Sequence, residues 1–308
     1  MENQQARPLV VENISKSLGG KKIIKDLSFS VEAGKIYGFL GPNGSGKTTT
    51  IRMIVSLIGL DAGDVKIGGH SIRTEREQAL SQIGAIVENP DLYEYMSGRK
   101  NLIHFARMTN KKVTIERIDE VIKMVELDHA IDKKVKTYSL GMKQRLGIAL
   151  SILHEPSVLI LDEPTNGLDP KGIRELRSYL KDLAHNSGVA ILVSSHLLSE
   201  IELMCDRAIV IKEGQVINEL AVNDKEQGEE EEVAAVFEVN QLEKAEALLL
   251  QYGTVRKEEN RIILENTTVE QVPSIVSALV KQEIGIYHVS YKKSLEDTYH
   301  LLTEKEVI

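Results

Sequence analysis

The sequence predicts an α/β protein with a largely parallel sheet, followed by a small α+β domain. Three stretches of strand length, at residues 35–40, 157–164 and 189–196, are built around short apolar runs, which is typical of parallel strands covered on both faces. Segments with charged and apolar residues at helical spacing lie around them, as at residues 115–127 and 171–186. Strands that alternate with helices predict a parallel sheet.

The other elements of the first two thirds of the chain are predicted from glycine positions and apolar spacing. In order, they are two β-like runs within 8–33 split by Gly19-Gly20, a helix at 48–58, a mostly helical region at 91–155, and a hairpin at 207–220 turning at Glu213-Gly214.

The carboxyl-terminal third begins after a polar, acidic stretch at residues 222–232, which predicts a solvated linker. Beyond it, apolar spacing predicts the order β-α-β-α-β, and residues 294–302 predict a final helix. We therefore expect domains at 1–221 and 233–308, joined by this linker.

Composition argues against several functions. The formal net charge is −8, Trp is absent and aromatic residues make up 4%, which disfavours a nucleic-acid partner. The amino-terminal residues do not resemble a secretory signal, and no run of about 18 apolar residues is present. The single cysteine, Cys205, fits a reducing cytoplasm.

Residues 41–48, GPNGSGKT, match the phosphate-binding P-loop pattern G-x-x-x-x-G-K-[ST]. The motif follows a predicted strand and opens a predicted helix, so backbone amides and the helix amino terminus can surround phosphates. Lys47 is expected to reach the β- and γ-phosphates of a nucleotide, and the Thr48 hydroxyl to bind Mg²⁺. The predicted phosphate-binding residues are Gly41, Pro42, Asn43, Gly44, Ser45, Gly46, Lys47, Thr48 and Thr49.

Asp162 and Glu163 end an apolar strand about 115 residues after the P-loop. A pair of acidic residues in this position is on its own more often a turn or capping feature. With a P-loop upstream, Asp162 is expected to hold the Mg²⁺ shell, and Glu163 to orient and deprotonate the attacking water. These motifs predict a P-loop nucleotide hydrolase.

Three further motifs resemble those of the ATP-binding cassette (ABC) family, and the resemblance covers residues 8–221. YSLGMKQR at 138–145 is similar to the signature L-S-G-G-Q. Ser139, Gly141 and Gln144 are interpreted as its Ser, second Gly and Gln, while Leu140 and Met142 depart from the motif. NGLDP at 166–170 resembles the D-loop, which implies a subunit contact at Asp169, and His196 resembles the switch histidine that contacts the γ-phosphate.

The resemblance implies a RecA-like core sheet with an antiparallel β subdomain and a helical subdomain. It also implies a head-to-tail dimer with a second copy or a homologous cassette, in which ATP lies between the P-loop of one subunit and the signature motif of the other. An integral-membrane permease would dock near residues 88–96, with Tyr93, Tyr95 and Met96 as candidate groove residues. The chain would then lie at the cytoplasmic face of the membrane as a peripheral subunit.

Two further residues, outside the signature, depart from the family pattern. Glu88 stands where Gln is usual, which resembles the subgroup that serves resistance to bacitracin and lantibiotics. Its carboxylate is a candidate to contact the catalytic water and Mg²⁺; alternatively, Glu88 is a tolerated substitution. Leu18 stands on the adenine side, where an aromatic residue is usual.

The resemblance leaves other functions open. A translation factor of the same family usually carries two cassettes, a regulatory protein with slow turnover would not need Glu163 and His196, and an importer would not be expected to carry Glu88. The last third of the chain resembles the appended domain of drug exporters, which either stabilises packing or senses a ligand. The sequence thus predicts the ATP-hydrolysing subunit of an exporter for antibiotic, drug or lipid-like substrates.

Overall fold

The computed structural model describes residues 6–88, 90–222, 232–258 and 261–291, and the chain divides into two compact units at 1–224 and 225–308. The interior of the predicted linker and the predicted helix at 294–302 lie outside the described residues. In the part of the chain that is described, no helix combines the length and the apolar character needed to cross a bilayer.

The centre of the first unit is a six-stranded sheet with the strand order β10-β9-β3-β8-β7-β6. Neighbouring strands are parallel except for β9 and β10, which form the predicted hairpin. The strands are β3 (Ile36–Leu40), β6 (Ile83–Ile86), β7 (Val158–Asp162), β8 (Ala190–Ser194), β9 (Arg207–Lys212) and β10 (Gln215–Ala221). Every residue of β3, β7 and β8 is buried, so the predicted parallel α/β sheet is confirmed.

A four-stranded antiparallel sheet, in the order β2-β1-β4-β5, packs on the same core. Its strands are β1 (Leu9–Leu18), β2 (Lys21–Val31), β4 (Ala62–Ile67) and β5 (His70–Ser71). Phe29 of β2 and Phe39 of β3 join the two sheets, with ring centroids 5.4 Å apart.

Within the described residues of the first unit, seven α-helices have defined bounds, and a 3-10 helix lies at Val135–Thr137. The α-helices are α1 (Lys47–Ile54), α2 (Arg76–Leu80), α3 (Gly98–Ala106), α4 (Ile115–Met124), α5 (Leu140–Ile152), α6 (Pro170–His185) and α7 (Leu198–Met204). The side chains of Ser97, Thr114 and Ser139 cap α3, α4 and α5, each accepting a hydrogen bond from the backbone amide three residues on.

Helix α1 ends earlier than predicted. Its last residue is Ile54 rather than residue 58, because Ser56 adopts a left-handed conformation (φ 57°). The amides of Leu57 and Ile58 then bond back to the carbonyl of Arg52, at 2.8 and 3.2 Å. Such bonds satisfy a carbonyl at the helix end and turn the chain away.

The second unit has one strand more than the sequence predicted. Its elements are β11 (Glu232–Val239), α8 (Leu242–Leu249), β12 (Thr254–Glu258), β13 (Arg261–Thr268), α9 (Val272–Lys281) and β14 (Ile286–Tyr291), and the sheet order is β12-β13-β11-β14. The strand β12 was missed because its sequence, TVRKE, lacks an apolar alternation: it lies at a sheet edge and is largely exposed. The order β-α-β-β-α-β, with antiparallel neighbours, is a ferredoxin-like arrangement.

Candidate nucleotide site

The P-loop lies between the carboxyl end of the central strand β3 and helix α1. Gly46 precedes the helix with φ 108°, a conformation that a side chain would strain, and a Cβ there would lie 2.5 Å from Ile24 Cδ1. The residue that precedes the helix, Gly46, has no side chain with which to cap the amino terminus of this helix. Its amides are therefore available to an anion, as a phosphate site requires.

Lys47 points back into the loop that carries it. Its side chain is 7% exposed, and Nζ donates to the carbonyls of Gly41 at 2.6 Å and Pro42 at 3.4 Å. Burial lowers the pKa of Lys47, and the carboxylates of Glu163 and Asp162 oppose that shift. The ammonium therefore lies within the electrostatic field of both acidic residues, and neutral carbonyls are its hydrogen-bond acceptors.

Asp162 is buried at the end of β7, beside the end of β8. Ser194 Oγ donates to Asp162 Oδ1 at 2.5 Å and accepts from the amide of Glu163 at 3.0 Å. Because Asp162 and Ser194 are also paired in the sheet register, one hydroxyl fixes the carboxylate and the start of the following turn. Ser194 was not predicted; its place beside an acidic residue on the neighbouring strand is a tertiary relationship.

Glu163 begins a tight turn and faces two polar side chains. Its backbone is left-handed (φ 49°), and its Oε2 accepts from Asn166 Nδ2 at 2.5 Å. His196 Nδ1 lies 3.3 Å from the same oxygen. Both side chains, Glu163 and His196, remain partly exposed at 31% and 46%, so a water molecule or phosphate can approach them. Asn166 was predicted only as a member of the motif NGLDP.

Glu88 lies two residues beyond β6, at the same sheet edge. Ile86 pairs with Leu161 in the parallel register, so Glu88 and Glu163 each follow that pair by two residues. The Glu88 carboxylate forms an ion pair with Arg52 of α1. Its backbone, too, is left-handed (φ 66°).

The predicted signature residues surround the amino terminus of α5. Ser139 caps this helix, because its hydroxyl accepts a hydrogen bond from the amide of Met142 at 3.3 Å. Gln144 was wrongly taken as the motif's Gln: it is 3% exposed and lies on the buried side of α5. The fifth residue of the motif, counted from Tyr138, is Met142, which is partly exposed.

The segment after Glu163 packs against this helix. Gly167 has φ 74°, and a Cβ there would lie 2.4 Å from Leu140 Cδ2; a Cβ on Gly141 would lie 3.5 Å from Leu168 Cδ2. Leu140, one of the two departures from the family motif, thus rests on the predicted D-loop of its own chain. Asp169 closes that loop as the cap of α6, accepting from the amide of Gly172 at 2.8 Å.

Leu18 ends β1 at the tip of the first hairpin, where it pairs with Lys21 and is 47% exposed. The strand that follows passes the P-loop, since Ile24 of β2 approaches Gly46. Leu18 therefore offers an accessible apolar surface at the end of the hairpin.

A groove of about 490 Å³ runs between the sheet edge and the helical region. Its wall includes Leu57, Phe105 and Met108, and two of these are highly exposed for apolar residues, Leu57 at 64% and Met108 at 65%. Among the described residues that line it, Pro90 and Asp91 come from the predicted docking segment. Tyr93, Tyr95 and Met96 do not line this groove. The ring of Tyr93 packs on that of Phe105, with the centroids 5.8 Å apart.

Comparison with known proteins places the chain in a family. A family model described as ABC transporter matches residues 24–166. An uncharacterized ABC transporter ATP-binding protein of Bacillus subtilis, YhcH, is 51% identical over 296 residues, which cover 96% of this chain and 95% of the relative. The bacitracin transport ATP-binding protein BcrA of Bacillus licheniformis is 46% identical over 210 residues, 68% of each chain. The predicted resemblance to the bacitracin subgroup is thereby confirmed.

Solved structures share the fold of the first unit. The structure of cbiO1 from Clostridium perfringens, part of the ABC transporter complex cbiONQ, matches with a TM-score of 0.65 and 28% identity over 71% of this chain and 90% of that one. The chain therefore belongs to the ABC transporter ATP-binding family, whose members bind and hydrolyse ATP, dimerise and act with membrane permease components.

Proposed function

We propose that this chain hydrolyses Mg·ATP between two cassettes and thereby drives a separate membrane permease that exports peptide antibiotics or similar amphipathic molecules. The observation that carries the proposal is the meeting of Lys47, Asp162, Glu163 and His196 at one edge of the central sheet. The pKa of Lys47 responds to both acidic residues, and His196 Nδ1 lies 3.3 Å from Glu163. The ammonium group of Lys47, the carboxylate of Asp162 as a candidate metal ligand and the candidate base Glu163 therefore lie close together.

The residues present fit Mg²⁺. This ion prefers hard oxygen ligands and is commonly held by one or two protein oxygens together with substrate phosphates. Thr48 lies in the first turn of α1 and offers its hydroxyl. Asp162 has a second carboxylate oxygen besides Oδ1, which accepts from Ser194. Bound there, Mg²⁺ would neutralise charge on the phosphates. Lys47 would exchange the carbonyls of Gly41 and Pro42 for phosphate oxygens, a stronger, charge-assisted contact.

Glu163 is the proposed general base. Asn166 donates to its Oε2, which orients the carboxylate without neutralising it, and the left-handed backbone at Glu163 directs the residue out of the strand line. His196 is the proposed γ-phosphate contact, because its ring lies beside Glu163 and stays accessible. Glu88 is a second candidate for the metal or the water, and it would first have to leave Arg52.

The signature side is proposed to meet the nucleotide of a second cassette. The amino terminus of α5 is capped by Ser139 through the amide of Met142, so the preceding amides of Leu140 and Gly141 are the ones proposed to meet phosphate. A helix of 13 residues gives that terminus partial positive charge. Asp169 is proposed to lie at the subunit contact, and Leu18 on the adenine side. Whether the second cassette is an identical copy or a homologue does not change this geometry.

The permease is proposed to dock in the apolar groove, at the cytoplasmic face of the membrane. Leu57 and Met108 expose apolar surface there, and large exposed apolar residues around a concave surface are typical of interfaces. The relative named for bacitracin transport supports a peptide antibiotic as the exported molecule. We assign the cassette to residues 1–221 and an accessory domain to 233–308.

The test is ATP turnover by the purified protein with its permease in reconstituted membranes. Glu163→Gln is expected to lower turnover on the order of 10²-fold, because general-base help contributes about 10²- to 10⁴-fold, and to retain ATP in a stable dimer. Lys47→Ala is expected to abolish ATP binding. The matched control Glu77→Gln changes an exposed carboxylate on α2 and should leave turnover unchanged; wild-type turnover in Glu163→Gln would overturn the base assignment.

A further inference from the structure

Glu200 is a buried acidic residue that the proposed reaction does not use. It lies on the short helix α7 and is 8% exposed. The adjacent Ile201 fixes this helix on the central sheet, because a Cβ on Gly38 of β3 would lie only 2.6 Å from Ile201 Cγ2. Burying a carboxylate is costly unless hydrogen bonds compensate it, so its partners indicate what it does.

One oxygen of Glu200 accepts two hydroxyl groups that come from different loops. Thr165 Oγ1 donates to Glu200 Oε2 at 2.6 Å, and Ser195 Oγ donates to the same oxygen at 3.1 Å. Both hydroxyl residues are buried, Thr165 at 6% and Ser195 at 2% exposed. Hydrogen bonds to an ionised acceptor are about twice as strong as neutral ones, so these contacts hold both loops firmly.

Each of these hydroxyl residues is the chain neighbour of a residue that contacts Glu163. Thr165 precedes Asn166, whose side chain donates to Glu163 Oε2 at 2.5 Å. Ser195 precedes His196, whose Nδ1 lies 3.3 Å from the same Glu163 oxygen. The two groups that surround the candidate base are thus each anchored, one residue away, on a single carboxylate.

We infer that Glu200 is a positioning residue for ATP hydrolysis, which sets the placement of Asn166 and His196 around Glu163 by holding Thr165 and Ser195. This inference rests on the proposed role of Glu163. It requires no contact between Glu200 and the nucleotide. Because misplacing a catalytic group by about 1 Å can cost on the order of 10²-fold in rate, loosening both anchors lowers turnover while ATP binding remains.

The test is a set of ATPase measurements on the full chain with its permease. Glu200→Ala is expected to lower kcat on the order of 10-fold or more, with KM for ATP changed by less than about twofold. Glu200→Gln keeps an oxygen acceptor without the charge and should lose less. The matched control Glu202→Gln alters a carboxylate on the same helix two residues on, a spacing that does not share a helix face, and should keep wild-type kcat.

A double-mutant cycle separates positioning from a general loss of folding. If Glu200 acts through the surroundings of Glu163, then Glu200→Ala should lower the residual rate of Glu163→Gln by clearly less than it lowers the wild-type rate, because the base whose surroundings it orders is already removed and only the contact of His196 with the γ-phosphate is still affected. Equal losses in both backgrounds, or an unchanged kcat in Glu200→Ala, would overturn the inference. If Glu200→Ala does not fold, Thr165→Val and Ser195→Ala provide the test. Each should lower kcat alone, and each should lower it by a smaller factor when combined with Glu200→Gln.

Failure of the parent proposal gives a different result. If Glu163→Gln alone turns over ATP at the wild-type rate, then Glu163 is not the base, whatever Glu200 does. If Glu163→Gln lowers kcat and Glu200→Ala leaves it at the wild-type value, only the positioning role of Glu200 is refuted.

Discussion

Arg52 of helix α1 and Glu88, beyond strand β6, form an ion pair that joins the P-loop helix to the segment leading into the helical region. Both side chains are partly exposed, at 43% and 60%, so the pair contributes only about 0–1 kcal/mol to folding. Its consequence is electrostatic. A chain with Gln at position 88 would have no carboxylate to pair with Arg52. In this chain the negative charge of Glu88 lies two residues beyond β6, the strand that pairs with β7, and Arg52 offsets that charge.

The first prediction is that Arg52 matters for ATP turnover only while residue 88 is acidic. Arg52→Met is expected to lower turnover on the order of fivefold, equivalent to about 1 kcal/mol, because Glu88 is then left uncompensated. In a Glu88→Gln background the same substitution should change turnover by less than about twofold. A cycle of four steady-state ATPase rates measures the coupling, and equal effects in both backgrounds would show that the pair has no functional role.

The second prediction concerns the apolar groove between the sheet edge and the helical region. Met108→Glu places a charge on a wall residue that is 65% exposed, so it should leave ATP hydrolysis by the isolated chain within about twofold of wild type, as surface changes usually do. Retention of the chain on washed native membranes should be lost. Ile115→Glu is the control, since Ile115 is equally exposed at 68% and lies outside the groove; loss of retention in both variants would contradict the assignment.

The third prediction tests the seating of α7 on the central sheet. A Cβ on Gly38 would meet Ile201 Cγ2 at 2.6 Å and Cδ1 at 2.9 Å, and overpacking of this kind costs about 1–3 kcal/mol. Gly38→Ala should therefore lower the free energy of unfolding by this amount, measured in urea. Ile201→Ala removes the clashing atoms, so the double variant should lose less than the sum of the single losses. Gly59→Ala is the control, because nothing lies within 4 Å of its added Cβ.

The fourth prediction is a loss of stability in mild acid that depends on His154. Its Nε2 lies 3.0 Å from the carbonyl of Ile83. Burial lowers the pKa of His154, with smaller contributions from Lys111 and Arg117 in the same direction, although the bond to Ile83 opposes the shift. Because the folded pKa is below the unfolded value of about 6.5, the unfolded state binds more protons as pH falls, and the stability present above that value is lost below it.

The measurement for His154 is Tm between pH 7.5 and pH 5. Wild type should lose more Tm over this range than His154→Gln, which cannot titrate. His129→Gln replaces an exposed histidine in the helical region and should follow wild type. An identical pH profile for wild type and His154→Gln would contradict the prediction.

The P-loop and the acidic pair could be predicted from sequence because each is a local pattern. A glycine-rich turn between a strand and a helix, and carboxylates at the end of an apolar strand, carry their chemistry within a few residues. Ser194 and Glu200 could not be found in this way. Their role depends on which residue of a neighbouring strand or loop lies opposite, and the sequence offers Glu200 and Glu202 as equal candidates on one short helix.

The errors have similar physical causes. Gln144 was chosen by residue type, but helix α5 turns it inward and leaves Met142 toward the surface. The helix predicted to reach residue 58 ends at Ile54 because Ser56 leaves the helical conformation, which apolar spacing cannot reveal. Strand β12 was missed because an exposed edge strand needs no apolar alternation.

The contact of Leu140 with Gly167 has a mechanical consequence. In this chain a bulky side chain replaces the usual small residue of the signature and rests on the loop that follows the acidic pair. If this loop moves when ATP is cleaved, its contact with Leu140 would therefore transmit the movement directly to helix α5 of the same chain. Hydrolysis at the site of one chain would in this way alter the signature segment of that chain, which is proposed to contact the nucleotide bound by the second cassette.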